Sequence, residues 1–275
     1  QSLETTIEMN PCTVTLEKLL VYQRAGVNRI SMGLQTTEDR ILKIIGRVHT
    51  LHEFEEAYQL VRKVGFHNVN VDLMFGLPTQ TLNSFQESVE YLIQLKPEHI
   101  SAYSLILHHD IFHDLPSEEE EREMYHFLVE RLQQAGYVHY EISNFALPGY
   151  ESKHNMAYWK QQEYDGFGAG ASSFIENKRY TNVKNIQKYI SLMNEHKNVR
   201  ILEEILNEES KLNEYMILGL RLIEGINVQE TNEKFHTDIL EKYKTSLEKL
   251  QKIELIDVNE KISLTTKGLD FANVV

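Results

Sequence analysis

Residues 50–78, TLHEFEEAYQLVRKVGFHNVNVDLMFGLP, contain one complete helix–strand unit. Apolar residues recur at helical spacing over Leu51–Val64, and Thr50 with Glu53 forms a capping box whose hydroxyl and carboxylate satisfy free backbone N–H groups. Gly65 ends the helix, because glycine readily adopts the left-handed conformation of a C-cap. The apolar run Val69–Phe75 is typical of a buried strand. The stretch therefore predicts a helix followed by a strand.

The same unit recurs on both sides of this stretch, where short β-rich runs alternate with amphipathic helical runs. The predicted elements are Thr5–Met9, Thr15–Ala25, Arg29–Leu34, Glu38–Ile45, Phe85–Leu95 (opened by a box of Ser84 and Glu87), Ile100–Leu107 and Glu118–Ala135 (opened at Ser117). This alternation predicts an α/β fold with a parallel sheet and crossover helices. An open doubly wound sheet and a β/α barrel both fit. No Gly-x-Gly-x-x-Gly follows an early strand, so we favour a partial barrel.

The C-terminal part of the sequence differs in character from the first 197 residues. Its predicted elements are the helices Leu212–Leu222, Val228–Phe235 and Ile239–Leu250 and the hairpin Leu255–Leu264. This layout predicts a small α+β winged-helix-like domain over residues 198–275, following a partial barrel and its extension over residues 1–197. Residues 211–275 carry 9 basic and 11 acidic side chains, so the layout indicates a packing or docking module rather than a DNA-binding one.

Charge and cysteine content exclude several classes of protein. With 28 basic and 41 acidic residues the formal net charge is −13, which opposes binding of nucleic acid. A single cysteine, Cys12, rules out an internal disulfide and a cluster held by several thiolates of this chain. No apolar run approaches the ~20 residues of a membrane-spanning helix. We therefore expect a cytoplasmic protein.

Four polar residues fall where we expect the end of the barrel that carries its functional groups. Glu8 lies near the end of the first strand, Gln35 just past the second, Asp72 within or near the end of Val69–Phe75, and Arg47 one residue beyond the helix-ending Gly46. Together they could hydrogen-bond the ribose hydroxyls, the ammonium group and the carboxylate of a nucleoside joined to an amino acid. Two alternatives stay open: the two carboxylates pair with Arg47 or cap loops, or they act as the acid and base of an unrelated hydrolase.

Histidine and aromatic residues form a second candidate site. His154 and Asn155 lie just before Tyr158 and Trp159, which combines an imidazole ligand with the aromatic surface that a flat porphyrin requires. Alternatively, His154 is an ordinary loop residue and Trp159 anchors the core.

A further group, His108, His109 and His113, could bind a metal or simply be solvated. The run Gly166–Gly170 allows a close backbone approach to a ligand or to a neighbouring strand.

Several of these stretches together resemble one family. They are residues 7–11, 26–35, 46–47, 70–78, 100–105, 140–145 and 154–159. They resemble the oxygen-independent coproporphyrinogen III oxidase family of radical S-adenosylmethionine (radical SAM) proteins, and within it the haem-chaperone branch. The resemblance extends over nearly the whole chain.

The resemblance implies a radical-SAM-type barrel in which a [4Fe-4S] cluster binds and cleaves S-adenosylmethionine, or supports haem handling and transfer to haem-requiring membrane partners. By position, Glu8 matches a glutamate that contacts S-adenosylmethionine. Gln35, Arg47 and Asp72 match residues lining a second S-adenosylmethionine site. His154 matches the histidine of a His-Asn-x-x-Tyr-Trp motif associated with haem, which favours a chaperone. The alternatives are a true oxidase that decarboxylates propionates, and a non-catalytic porphyrin- or nucleoside-binding module.

The sequence departs from the family pattern at several points. The motif Cys-x-x-x-Cys-x-x-Cys that binds the cluster is absent from these 275 residues. It belongs upstream of the strand with Glu8, so we expect two further βα units, on the order of 90 residues, before this one. The loop over residues 107–115 is short, and Ser172 replaces a family histidine. This chain alone is expected to be inactive as an enzyme, and an incomplete barrel with two open strand edges favours a homodimer.

Overall fold

The computed structural model describes residues 3–105 and 112–272. The chain divides into two compact units, residues 1–152 and residues 153–275. The domain boundary between residues 197 and 198 stays a prediction. Within the described ranges, no helix is both long enough and apolar enough to cross a membrane.

The first unit is built on one six-stranded sheet. Its elements are β1 (Thr6–Met9), α1 (Leu16–Arg24), β2 (Arg29–Gln35), α2 (Asp39–Ile44), α3 (Leu51–Val64), β3 (Val69–Phe75), α4 (Leu82–Leu95), β4 (His99–Ser104), α5 (Glu118–Gln134), β5 (Val138–Glu141) and β6 (Asn144–Ala146). The strand order is β1-β2-β3-β4-β6-β5. Strands β1 to β4 run parallel, whereas β6 is antiparallel to β4 and to β5. The predicted α/β partial barrel is thus confirmed, with an antiparallel hairpin added at one edge.

The two faces of this sheet differ in polarity. One face carries apolar side chains that are almost fully buried: Ile30, Met32 and Leu34 of β2, Val69, Val71 and Leu73 of β3, and Ile100 and Ala102 of β4. The intervening residues on the other face are mostly polar. The register aligns Ser31, Asn70 and His99 in one row and Gly33, Asp72 and Ser101 in the next. Since alternate residues of a strand point to opposite faces, these rows form a continuous polar surface.

Two predicted boundaries in the first unit are wrong. Helix α4 begins at Leu82, not Phe85, because Thr81 is its N-cap and forms the capping box with Ser84 in place of the predicted pair of Ser84 and Glu87. Strand β4 ends at Ser104, and residues 106 and 107 of the predicted strand lie outside the described residues. The capping boxes predicted at Thr50 and Ser117 are confirmed.

The second unit contains two three-stranded sheets. Its elements are α6 (Lys153–Trp159), β7 (Ser172–Ile175), β8 (Lys178–Asn182), α7 (Ile186–Asn194), β9 (Arg200–Ile205), α8 (Glu208–Gly219), β10 (Ile226–Asn227), α9 (Val228–Phe235), α10 (Ile239–Lys242), α11 (Lys244–Lys252), β11 (Ile256–Val258), β12 (Lys261–Leu264) and α12 (Thr266–Asp270). The sheet orders are β7-β8-β9 and β10-β12-β11. A cluster that includes Leu212, Met216, Ile239 and Ile262 forms the core of the helical part, as the winged-helix-like prediction requires.

Two helix boundaries in the second unit differ from the prediction. Helix α8 begins at Glu208, because Asn207 caps it by accepting a hydrogen bond from the Ser210 N–H. The predicted helix Ile239–Leu250 is two helices, separated at Tyr243, whose backbone leaves the helical conformation.

Candidate functional site

The polar face of the first unit brings the predicted residues of neighbouring strands together. Glu8 pairs in register with Ser31, and Asp72 pairs with Gly33. Gln35 ends β2 at an irregularity in its pairing with β3. Arg47 follows α2, and its charge acts on the Asp72 carboxyl group, as does that of Glu8. The structure therefore places Glu8, Arg47 and Asp72 within electrostatic reach of one another.

Gln35 is held in an unusual conformation beside Gly33. Its φ is +72° and its side chain is only 2% exposed. A Cβ atom at position 33 would collide with the Gln35 Nε2 atom, so any larger residue there would displace the Gln35 side chain. Among the described residues, the buried Gln35 Oε1 has no hydrogen-bond partner. An acceptor buried in this way is costly unless a donor binds it, so it is a feature expected of a ligand site.

Asp72 has the most perturbed carboxyl group of this set. Burial raises its pKa to about 6, and the Glu8 carboxylate acts in the same direction. The hydrogen bond from Asn70 and the charges of Arg29 and Arg47 oppose this shift. A carboxylate with this pKa is mostly ionised at pH 7 and can accept hydrogen bonds from a hydroxyl or an ammonium group.

Tyr103 of β4 also belongs to the site, although the sequence analysis did not single it out. Burial raises its pKa to about 12, and the nearby Asp72 carboxylate adds to the effect. The Gln35 side chain hydrogen-bonds the phenol. The alternation of polar residues along His99–Ser104 could have indicated this position, since it predicts that residues 99, 101 and 103 share one face.

Arg29 is a second residue that sequence reasoning missed. It is 6% exposed, and no described group accepts a hydrogen bond from its Nε. Burial lowers its pKa, while Glu4, Tyr140, Asp72 and Glu8 counteract that effect. Arg29 thus supplies positive charge at the start of β2, on the face that carries the predicted carboxylates.

His154 lies on α6, in the second unit. Its side chain is exposed, and its ring meets the Tyr158 ring edge to face at a centroid distance of 4.7 Å. Tyr158 in turn contacts Tyr164 at 4.6 Å. Trp159 stacks under the guanidinium of Arg221, 4.4 Å from the ring centroid. The structure therefore presents an accessible imidazole beside an aromatic cluster.

The described residues contain no group of three or more His, Cys, Asp or Glu side chains that could hold a metal ion. His108 and His109 lie outside the described residues. Cys12 is exposed and is the one thiol in the sequence. The side chains of this chain do not fit a [4Fe-4S] cluster, which needs several thiolates.

Two family models match the chain. Residues 1–92 match the radical SAM superfamily, and residues 206–271 match the HemN C-terminal domain.

Similar proteins span nearly the whole chain. The heme chaperone HemW of Lactococcus lactis and that of Bacillus subtilis are each 38% identical to it over 283 residues, which cover 99% of this chain and 74% of the relative. The solved structure of coproporphyrinogen III oxidase (HemN) from Escherichia coli, a radical SAM enzyme, matches with a TM-score of 0.83 at 23% identity, over 98% of this chain and 68% of that chain. That structural likeness shows the fold.

Proposed function

Because the chain belongs to the HemW-like branch of the oxygen-independent coproporphyrinogen III oxidase family of radical SAM proteins, we propose that it is a haem chaperone that binds haem through His154. The observation that carries the proposal is the 38% identity to two heme chaperones across 99% of the chain. The resemblance of residues 154–159 to a haem-associated motif supports it.

The surroundings of His154 suit a haem ligand. Its imidazole is exposed on α6, and an imidazole nitrogen is a common axial ligand of haem iron. The Tyr158 ring stands edge-on to it, and Tyr164 extends the aromatic cluster. Aromatic rings beside the ligand give a flat porphyrin an apolar surface on which to stack. Haem is the cargo in this proposal, so tight but reversible coordination is what the chaperone needs.

We propose that Glu8 contacts one S-adenosylmethionine and that Gln35, Arg47 and Asp72 line a second S-adenosylmethionine site. This ligand supplies an ammonium group, a carboxylate and ribose hydroxyls. The buried Gln35 Oε1 and the Asp72 carboxylate are acceptors for its donors, whereas Arg47 is suited to its carboxylate. We derive no step through the [4Fe-4S] cluster of the family, because these 275 residues lack its thiolates.

Haem titration tests the assignment of His154. We expect His154→Ala to weaken the binding of ferric haem at least about tenfold and to remove the Soret shift of histidine ligation, because the iron loses its nitrogen donor. The matched control is His52→Ala, which removes another exposed helical histidine, from α3. Equal haem affinity in His154→Ala and His52→Ala would contradict the proposal.

An oxidase that decarboxylates coproporphyrinogen III is the second candidate function, and the match of residues 206–271 to the HemN C-terminal domain favours it. The test is turnover of that substrate by the protein joined to a cluster-binding segment and reconstituted with iron and sulfide. Formation of the vinyl product would support the oxidase. If the cluster is intact and the substrate is not turned over, the oxidase function is wrong and the chaperone function stands.

We also propose a cytoplasmic homodimer that passes haem to a haem-requiring membrane protein. Within the part of the chain that the structure describes, β1 and β5 are the outermost strands of the six-stranded sheet, and an edge strand can pair with a second copy. Light scattering tests this association, and a monomeric mass would contradict it. Haem transfer is tested by adding a detergent-solubilised apo-cytochrome to the haem-loaded protein. We expect the absorption spectrum of haem bound through His154 to disappear as the cytochrome takes up the haem.

A further inference from the structure

A series of buried hydrogen bonds crosses the first unit from β5 to Asp72. Tyr140, His99 and Asn70 are 8%, 0% and 2% exposed. The Tyr140 hydroxyl lies 2.8 Å from His99 Nε2, and His99 Nδ1 lies 2.6 Å from Asn70 Oδ1. Asn70 Nδ2 donates to Asp72 Oδ1 at 2.7 Å. Three strands thus contribute to one connected series that ends at a carboxylate of the candidate site.

The chemistry of the groups fixes the orientation of Asn70. Its Nδ2 donates to the Asp72 carboxylate and also to Ser31 Oγ, at 2.9 Å. The opposite orientation would place the amide oxygen against a carboxylate oxygen, leaving two acceptors in contact. The Asn70 Oδ1 therefore faces His99, and it also lies 3.1 Å from Ser101 Oγ.

The same reasoning fixes the tautomer of His99. Since Asn70 Oδ1 can only accept, His99 Nδ1 carries the proton and donates it. The neutral ring then accepts at Nε2, and the Tyr140 hydroxyl donates to it. Burial lowers the pKa of His99 well below its usual value, and the Arg29 charge acts in the same direction, so the ring is neutral. Tyr140 is held in turn by the Ser152 N–H, which donates to its hydroxyl at 3.3 Å.

We propose that Tyr140, His99 and Asn70 are positioning residues that hold the Asp72 carboxylate in the orientation in which it binds S-adenosylmethionine. The inference rests on the proposed S-adenosylmethionine site. His99 is fully buried and acts through Asn70. Its part is to hold Asn70 in place through the hydrogen bond to Oδ1, so that Asn70 Nδ2 stays against Asp72 Oδ1. The other carboxylate oxygen is then directed to the ligand.

Substitutions at His99 separate this part from simple core packing. His99→Leu fills a similar volume but can neither donate to Asn70 nor accept from Tyr140, whereas His99→Gln can do both. We expect His99→Leu to weaken S-adenosylmethionine binding about three- to tenfold, the effect of losing one well-made hydrogen bond, and His99→Gln to restore most of it. The measurement is equilibrium dialysis of the full chain with radiolabelled S-adenosylmethionine. Equal affinity in His99→Leu and the unsubstituted chain would overturn the proposal.

A pair of tyrosine variants provides the matched control. Tyr140→Phe removes the hydroxyl that donates to His99. Tyr137→Phe removes a buried hydroxyl of the same unit that donates instead to the Pro97 carbonyl, at 2.7 Å. We expect Tyr140→Phe to weaken binding and to shift both the ¹⁵N ring signals of His99 and the ¹³C carboxyl signal of Asp72, with Tyr137→Phe changing none of these. If both variants had the same effect, the series would be structural only and the proposal would be wrong. If His99→Leu does not fold, Tyr140→Phe and Tyr137→Phe still test the proposal.

Asp72→Asn distinguishes this inference from the site on which it rests. If Asp72→Asn weakens binding but neither His99→Leu nor Tyr140→Phe does, the positioning proposal fails and the site stands. If Asp72→Asn binds S-adenosylmethionine as tightly as the unsubstituted chain, the proposed site itself is wrong, and the positioning proposal falls with it.

Discussion

Asp72 is a residue at which stability and binding oppose each other. Burial raises the pKa of its carboxyl group from 3.8 to about 6. The folded protein therefore holds the Asp72 proton more tightly than the unfolded chain does. The stability that this proton contributes is fully present below pH ~4 and is lost as the pH rises through about 6. The ionised Asp72 carboxylate therefore costs stability at neutral pH, and a buried carboxyl group with such a shifted pKa is typical of a functional site.

The Asp72→Asn variant should show this cost directly. Relative to the unsubstituted chain, we expect its free energy of unfolding to increase between pH 4 and pH 7. The increase should be up to about 3 kcal/mol, since about two units of pKa correspond to ~1.4 kcal/mol each. Urea denaturation of both proteins at several pH values measures the difference, in which the contributions of other titrating groups cancel. A difference that does not change with pH would contradict the expected shift.

At the level of single residues, sequence reasoning identified those side chains whose position follows from one strand alone. Glu8 and Gln35 could be predicted because each lies at or near the end of a strand-like run, and Asp72 because it is the one charged residue within the run Val69–Phe75. Alternation along β4 could have placed Tyr103 and His99 on one face of the sheet, but not beside particular residues of β3. Their neighbours depend on the register of β4 against β3, which aligns His99 with Asn70 and Tyr103 with Met74. Register is a property of two strands and is not contained in either one.

Helix α4 shows how local signals compete at the level of the element. Ser84 and Glu87 have the spacing of a capping box, yet Thr81 and Ser84 form the box in the structure. Glu87 instead accepts a hydrogen bond from Asn83 Nδ2, at 2.9 Å. Starting at Leu82 adds most of a turn of backbone hydrogen bonds and still buries Phe85. The helix that begins at Leu82 is therefore favoured over the shorter one that would begin at Phe85.

Two substitutions distinguish the two capping boxes. We expect Thr81→Ala to lower the free energy of unfolding by about 1 kcal/mol, because the Ser84 N–H loses the acceptor that the Thr81 hydroxyl provides. The comparison is Glu87→Ala, which would remove a cap only if the helix began at Phe85 and which should change stability by less than about 0.5 kcal/mol. Chemical denaturation gives both values. A larger effect from Glu87→Ala would contradict the observed helix start.

The break between α10 and α11 is not indicated by the local pattern of apolar residues. Helical periodicity over residues 239–250 predicts one continuous helix, yet the backbone of Tyr243 leaves the helical conformation. The Tyr243 hydroxyl donates to Asn213 Oδ1 of α8, at 2.5 Å. This contact spans 30 residues of sequence, so periodicity does not contain it.

At the level of the whole molecule, the position of the domain boundary is the main open prediction. The winged-helix-like segment has its own core, around Leu212 and Ile262. Several contacts nevertheless join it to residues before 198. Arg179 pairs with Glu214, with 2.6 Å between Nη2 and Oε2, and Gln161 Nε2 donates to the Lys211 carbonyl at 3.0 Å. Strand β9, just after residue 198, pairs with β8 along its whole length.

Two fragments test which boundary is physically meaningful. We expect residues 153–275 to unfold in one cooperative transition, because β8, β9 and α8 are joined by the β8–β9 ladder and the Arg179–Glu214 pair. A fragment of residues 198–275 loses that pair and the partner strand of β9, so its Tm should be at least ~5 °C lower, the shift that about 1 kcal/mol gives in a domain of this size. Calorimetry of both fragments measures this, and Glu214→Gln in the longer fragment isolates the ion pair. Equal Tm values would place the boundary between residues 197 and 198. The expected difference would make residues 153–275 the unit that folds, so that His154, the proposed haem ligand, and the C-terminal module share one domain.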